Sequence, residues 1–247
     1  MRRLEAVRRL MTRRQVRESL VLAPQPGWRI GLAAGAQAAL AAAIALPLVA
    51  LSPVPHLIGF ASLGSLVALF GRFAPRGQRS GIVLRCLFWQ TMAVAAVSMA
   101  AWLGAPVWAQ LALVAVGCGL FYFVSMTGRF GPPGALIFVF AASASMGQAV
   151  TLAQVVERSA AVLAVGLLAW AVCLLTDRWR YRHGGEADLP SDPVHPPRDR
   201  WRRSAQIAVG SLIAAFVAYA GGAAHPGWAA LGTVAVMQGT HLPLRLH

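Results

Sequence analysis

Long apolar stretches separated by short polar breaks dominate this chain. A helix needs about 20 apolar residues to cross a bilayer, and several stretches approach or reach that length. Clusters of proline and glycine, such as 52–55 (SPVP) and 104–106 (GAP), mark the breaks between them. The pattern predicts eight α-helical membrane spans, at about 30–51, 57–71, 82–103, 107–126, 134–152, 159–175, 204–224 and 226–239.

The polar segments divide the chain into four parts. Residues 1–29 form a basic tail with apolar residues at helical spacing. This fits an amphipathic helix on the cytoplasmic membrane surface, a solvated tail, or a start site placed too early with Met11 as the true start. Residues 30–176 hold a six-span membrane domain. Residues 177–203, rich in arginine, proline and acids, predict a solvated cytoplasmic linker. Residues 204–247 hold two more spans, so the predicted fold class is an all-α, polytopic transmembrane helix bundle.

Composition and charge support a membrane protein over a soluble one. Of the 247 residues 57% are hydrophobic and 12% are charged, against roughly 25% charged in an average soluble domain. The net charge of +14 comes from 22 arginines with no lysine. These arginines sit in short segments between apolar runs, whereas a nucleic-acid-binding domain carries them on a folded polar surface. We therefore expect the lipid bilayer, and not nucleic acid, as the partner of this charge.

The arginine distribution also predicts an orientation. With the N-terminus in the cytoplasm, 20 of the 22 arginines lie on the cytoplasmic side. Arg158 alone lies outside, and Arg85 lies within the third span. Because basic loops stay in the cytoplasm, we expect a multi-pass protein of a bacterial inner membrane with a cytoplasmic N-terminus.

Two short segments suggest an internal repeat. The segments at 59–65 (GFASLGS) and 227–233 (GWAALGT) are identical at four of seven positions and are 168 residues apart. A repeat unit of six spans and a linker makes the two copies parallel, because an even number of spans returns the chain to the same side. The second copy stops after its first two spans, so the sequence predicts an N-terminal fragment or the product of a truncated gene.

Two motifs carry a family resemblance. They are HPGWAALGT at 225–233 and the basic GRFAPRG at 71–77, after the second span. With six spans, a basic linker and the start of a second copy, residues 28–247 resemble the fusaric acid resistance protein-like family, which includes the aromatic acid exporters. The resemblance implies an inner-membrane efflux component for small aromatic carboxylic acids, working in some cases beside a periplasmic adaptor protein. A complete pathway would need either the missing spans or self-association into a homo-oligomer.

The sequence has no signature of a soluble enzyme, cofactor or metal site. The three cysteines lie within apolar runs, where small packing residues are expected. The six histidines lie in loops or at span ends, and are expected to be solvated. All eight acids lie outside the span interiors, so any proton coupling would use the interface acids Glu157 or Asp177, missing helices or another subunit.

Polar and aromatic side chains within the spans are the candidates for a substrate path. Arg85 lies about one turn inside the third span, and either snorkels to the interface or serves as the counter-charge of an anionic substrate. Phe88 and Trp89 share its helical face, and Gln90 lies beside them. The two rings suit an aromatic acid, but ordinary packing would equally explain them.

The second and eighth spans are short and glycine-rich, and they occupy corresponding places in the two copies. Such interrupted pairs often flank the substrate site of a transporter, although short spans that simply pack inside the bundle would look the same. The complete set of substrate-path candidates is Arg85, Trp89, Gln90, Phe60, Ser65, Trp228, Thr233 and Gln238. Interhelical hydrogen bonding is expected of the glutamines within spans, Gln37, Gln148, Gln206 and Gln238.

Two functional hypotheses follow. The first is an efflux transporter component for small aromatic carboxylic acids. The second is a non-transporting membrane scaffold or assembly subunit, or an inactive truncated remnant. The missing intramembrane carboxylates and the early end of the second copy favour the second hypothesis.

Overall fold

The protein is all-helical over residues 28–75, 77–180 and 196–239, which are the residues that the computed structural model describes. Within these ranges no strand is present. The helices are α1 (Trp28–Ala50), α2 (Ile58–Ser65), α3 (Arg79–Trp102), α4 (Val107–Gly128), α5 (Leu136–Ala144), α6 (Leu152–Arg180), α7 (Pro197–Ala220) and α8 (Gly227–Gly239). The predicted N-terminal surface helix and the centre of the predicted linker, 181–195, lie outside the described residues.

Five of these helices are long and apolar enough to cross a membrane: α1, α3, α4, α6 and α7. Mean hydropathy in their most apolar windows ranges from 1.3 to 2.2. Helices of this length satisfy their own backbone hydrogen bonds, which a bilayer core requires. The chain is therefore an α-helical, multi-pass membrane protein.

The second predicted span is interrupted. A 3₁₀ turn at Pro55–Leu57 leads into α2, which continues as a second 3₁₀ segment at Leu66–Leu69. The change from α to 3₁₀ geometry alters the hydrogen-bond partners of the last carbonyls of α2. Side chains of α3 donate hydrogen bonds to carbonyls in this region.

The predicted fifth span, 134–152, is shorter than expected, because α5 has only nine residues. The following segment, 145–151, is not helical. Gln110 of α4 fixes this segment, since its Nε2 donates to the Gly147 carbonyl at 2.9 Å and its Oε1 accepts from the Gly147 N–H at 3.1 Å. The same Nε2 also donates to Ala105 at 2.9 Å. Hydropathy could not show that a side chain would replace the helical hydrogen bonds here.

Two helices extend into the predicted linker, 177–203. Helix α6 continues to Arg180, and α7 begins at Pro197 rather than near 204. Proline is favoured at the first position of a helix, and arginine is a good helix former. The predicted linker therefore contains helical turns at both of its ends.

Helix α6 packs against α1, α2 and α3. Its backbone touches α2 at Gly64, where an added Cβ would lie 2.7 Å from the Val162 carbonyl oxygen. Helix α4 packs along α7 in the same close manner, because a Cβ on Gly119 would lie 2.6 Å from the Ser204 carbonyl oxygen. Helix α5 contacts α3, α4 and α8, and so connects the two groups of helices.

The bundle has two ends, which we name by one residue each. The His56 end holds the turn before α2, the α3–α4 turn and the segment 145–151. The Arg79 end holds the chain between α2 and α3 and the neighbouring ends of α4, α6 and α7. Buried aromatic rings close the interior at the Arg79 end, and Phe138 stacks on Phe70 with ring centroids 5.0 Å apart.

Candidate functional site

A cleft opens at the His56 end between α2 and α6. Its volume is about 320 Å³, near the lower limit of roughly 300–1,000 Å³ that is usual for ligand sites. It is lined by His56, Leu57, Phe60, Gln154 and Arg158. These side chains combine apolar surface, an aromatic ring, an amide, an imidazole and a cation.

Arg158 is the central cation of the cleft. Its guanidinium carbon lies 5.2 Å from the centre of the Phe60 ring, within the range of a cation–π interaction. Its Nη1 donates to the Ser145 carbonyl at 3.3 Å. A guanidinium has five N–H donors, so an anion in the cleft could accept from the others.

A second polar pair borders the cleft. His56 Nε2 lies 3.2 Å from Glu157 Oε2, and both side chains are partly exposed. The contact joins the turn before α2 to the second turn of α6. It places an imidazole and a carboxylate beside the cation of the cleft.

A different cluster lies at the Arg79 end. The Arg79 side chain is 1% exposed, and its Nη1 donates to Asp177 Oδ1 at 2.6 Å. Its Nη2 donates to Gln37 Oε1 and to the Ala68 carbonyl, each at 2.7 Å. Gln37 in turn donates to Thr176 Oγ1 at 2.6 Å. The cluster thus joins α1, α3 and α6 to the 3₁₀ segment after α2.

The structure brings three of the predicted site residues together around α2. Phe60 lines the cleft, and Ser65 is buried and donates to the Ser62 carbonyl at 2.7 Å. Gln90 is fully buried on α3, and its Nε2 donates to the Leu63 carbonyl at 2.7 Å. That carbonyl lies where α2 changes to 3₁₀ geometry, so Gln90 supports the interrupted helix.

Arg85 and Trp89 lie away from this group. Arg85 is exposed on the surface of α3, and its Nε donates to the Gly81 carbonyl of its own helix at 3.1 Å. The side chain therefore bends back by one turn, as an arginine does when it snorkels toward the interface. Trp89 is half-buried, and its ring contacts the Phe88 ring edge-on at 5.5 Å.

The candidates on α8 do not face the cleft. Trp228 is exposed beside His225, with ring centroids 5.3 Å apart. Thr233 donates to the Ala229 carbonyl of its own helix at 3.1 Å. Gln238 lies against Gly134, before α5. Helix α8 packs on α4, α5 and α7, so the structure does not place the two short helices around one shared cavity.

Interhelical hydrogen bonding is confirmed for Gln37 but is wrong for two other glutamines. Gln37 joins α1 to α3 and α6. Gln148 and Gln206 are exposed, since a broken α5 and a surface position on α7 leave them without a helix to face. Among the described residues no group of three or more histidine, cysteine or acidic side chains could hold a metal ion.

Sequence reasoning missed the roles of Arg79 and Arg158. Arg79 was counted with the loop arginines, although it opens α3 at the same end as Asp177 of α6. Arg158 was noted only as the one arginine outside the expected cytoplasmic side. An arginine at a span end can simply snorkel to the interface, so its position in the sequence shows neither role.

Comparison of the chain with protein-family models, with curated proteins and with solved structures found no match to any of the three.

Proposed function

We propose that this protein is a component of an efflux transporter that exports small aromatic carboxylic acids across a bacterial inner membrane. The observation that carries the proposal is the cleft at the His56 end, where the Arg158 cation lies over the Phe60 ring. The motifs at 71–77 and 225–233 support it through the family that they resemble. In the proposed orientation, with a cytoplasmic N-terminus, the cleft opens outward.

The chemistry of the cleft fits an aromatic acid. Arg158 would pair with the carboxylate, since guanidinium and carboxylate form short, strong hydrogen bonds. Phe60 and Leu57 would contact the ring. His56 and Gln154 would donate to a ring hydroxyl or to the second carboxylate oxygen. The parallel repeat belongs to the same proposal, because α1 packs on α2 as α7 packs on α8.

Replacing Arg158 by glutamine should weaken binding of a hydroxybenzoate-type acid by about ten- to a hundredfold, since a hydrogen bond to a charged group contributes about 1.5–3 kcal/mol. The measurement is efflux of the labelled acid from cells that carry the full-length locus, with the membrane level of each variant checked by immunoblot. Arg85→Gln is the matched comparison, because Arg85 is exposed and bonded to its own helix.

The two variants distinguish Arg158 from Arg85 as the residue that pairs with the substrate carboxylate. Loss of efflux with Arg158→Gln and retention with Arg85→Gln would support the cleft. Loss of efflux with Arg85→Gln and retention with Arg158→Gln would assign the pairing with the substrate carboxylate to Arg85. Equal retention of a panel of aromatic acids with and without the locus would contradict the exporter itself.

A non-transporting scaffold or assembly subunit is the second candidate function. The observation that favours it is the open outer surface of two long helices, since only 28% of the apolar window of α1 and 22% of that of α7 is buried in the bundle. Other membrane proteins could pack on these faces. Co-purification of a stoichiometric membrane partner, without any efflux phenotype, would select this function.

A further inference from the structure

A strip of arginines lies at the Arg79 end, where α4 and α7 meet. The strip is formed by Arg129, Arg198, Arg200, Arg202 and Arg203. Three of them are exposed, and Arg200 and Arg203 are half-buried. None has an acidic group within salt-bridge distance among the described residues, and the strip contains a single acid, Asp199. Among the described residues the strip is therefore a concentrated positive charge without an acid at ion-pair distance.

Arg200 holds a fixed place in this strip. Its Nη1 donates to Thr127 Oγ1 of α4 at 2.9 Å, and its guanidinium carbon lies 5.8 Å from the centre of the Phe123 ring. Its Nε is buried and makes no hydrogen bond. The guanidinium is thus held on one edge, and the remaining N–H groups of its Nη atoms are the ones that could donate to a phosphate oxygen.

Aromatic side chains fix the depth of the strip in the membrane. The Trp201 ring packs on the Phe123 ring, with centroids 4.6 Å apart, and 64% of Trp201 is exposed. Tryptophan is enriched where hydrocarbon meets the lipid headgroups. One turn further along, α4 and α7 approach closely at Gly119 and Ser204 and enter the apolar part of the bundle. This order of groups along α7 is the one expected for arginines at headgroup depth.

We infer that this strip binds the phosphate of an anionic lipid, with Arg200 and Arg203 as its main ligands. The acyl chains of that lipid would lie along the apolar surface of α4 and α7 below Trp201. Basic pockets between transmembrane helices on the cytoplasmic side are typical sites for anionic headgroups. A single-stranded nucleic acid would need stacking surfaces open to water, whereas the rings here lie at the membrane boundary.

The test is thermal unfolding of the purified full chain in a neutral detergent. Added phosphatidylglycerol should raise the Tm by about 5–10 °C at saturation, and phosphatidylcholine with the same acyl chains should raise it much less. The variant Arg200→Gln/Arg203→Gln should lose most of the difference between the two lipids. Arg85→Gln, which removes an exposed arginine from the surface of α3, should keep it.

Several outcomes would overturn the inference. These are equal stabilisation by the two lipids, an undiminished preference for phosphatidylglycerol in the double variant, or stronger stabilisation by a 20-nucleotide single strand than by the lipid.

If Arg200→Gln does not fold, Arg202→Gln/Arg203→Gln removes two cations without hydrogen bonds or ion pairs in the described structure. That variant should show about half of the lipid preference, and a full preference would equally count against the site. The result does not depend on whether the protein exports aromatic acids.

Discussion

Replacing Arg79 by methionine should lower the free energy of unfolding by about 2–4 kcal/mol. The substitution keeps most of the volume but leaves Asp177, Gln37 and the Ala68 carbonyl without their shared donor. We place the cost slightly below that of breaking a fully buried pair, because a quarter of the Asp177 side chain reaches solvent. The measurement is denaturant titration of the purified protein in detergent micelles.

A double variant separates the cost of lost packing from the cost of removing the Arg79 cation from beside the Asp177 carboxylate. Arg79→Met/Asp177→Asn should regain at least about 1 kcal/mol relative to Arg79→Met, because the carboxylate that loses its Arg79 contact is then replaced by a neutral amide. Arg85→Met is the control and should change stability by no more than about 0.5 kcal/mol, as for other exposed positions. If both single arginine variants were equally stable, the Arg79 cluster would not hold the bundle together.

Replacing Gly64 by alanine should destabilise the protein by about 1–3 kcal/mol, and leucine at this position should cost more. The added methyl would lie 2.7 Å from the Val162 carbonyl oxygen and 3.0 Å from the Gly166 nitrogen. Both atoms belong to the backbone of α6, which cannot move aside as a flexible side chain can. Phe60 and Arg158 lie one turn away on the same two helices, so the cleft should widen as well.

Gly232 provides a matched control from the same chain. It occupies the equivalent position in the segment 227–233, and nothing lies within 4 Å of a Cβ added there. Gly232→Ala should therefore be neutral or stabilising by up to about 1 kcal/mol, the difference in helix propensity. The comparison uses the same unfolding assay, and equal losses from Gly64→Ala and Gly232→Ala would contradict the packing difference between α2 and α8.

The sequence predicted the helical class and the five long apolar helices, because burial in lipid leaves a strong signal in residue order. The second, fifth and eighth predicted spans are short helices instead. It predicted less about where helices stop. At Gly147 a side chain from α4 replaces the helical hydrogen bonds of the backbone, and at Pro197 a helix starts inside an arginine-rich stretch. Neither effect depends on hydropathy. Both follow from contacts or capping that a window average does not contain.

Local sequence was enough to select three candidates in or next to the second apolar segment, and their role in a substrate path stays a prediction. Phe60, Ser65 and Gln90 were selected as polar or aromatic groups in or next to a short span, and the structure places them on or beside α2. Arg79 and Arg158 depend on partners about 100 residues away, Asp177 and Phe60. Such pairs are not visible in a single sequence, because nothing in residue order shows which span ends meet.

Helix α6 carries groups of both polar clusters, and this has a mechanical consequence. Arg158 and Asp177 are separated by 19 residues of one continuous helix, or about 28 Å at 1.5 Å per residue. The close contact between Gly64 of α2 and the backbone of α6 lies between them, and α6 would pivot about this point if it tilted. A ligand that changed the tilt of α6 at its Arg158 end would therefore also move Asp177 relative to Arg79. The cleft and the Arg79 cluster are thus joined mechanically through one continuous helix.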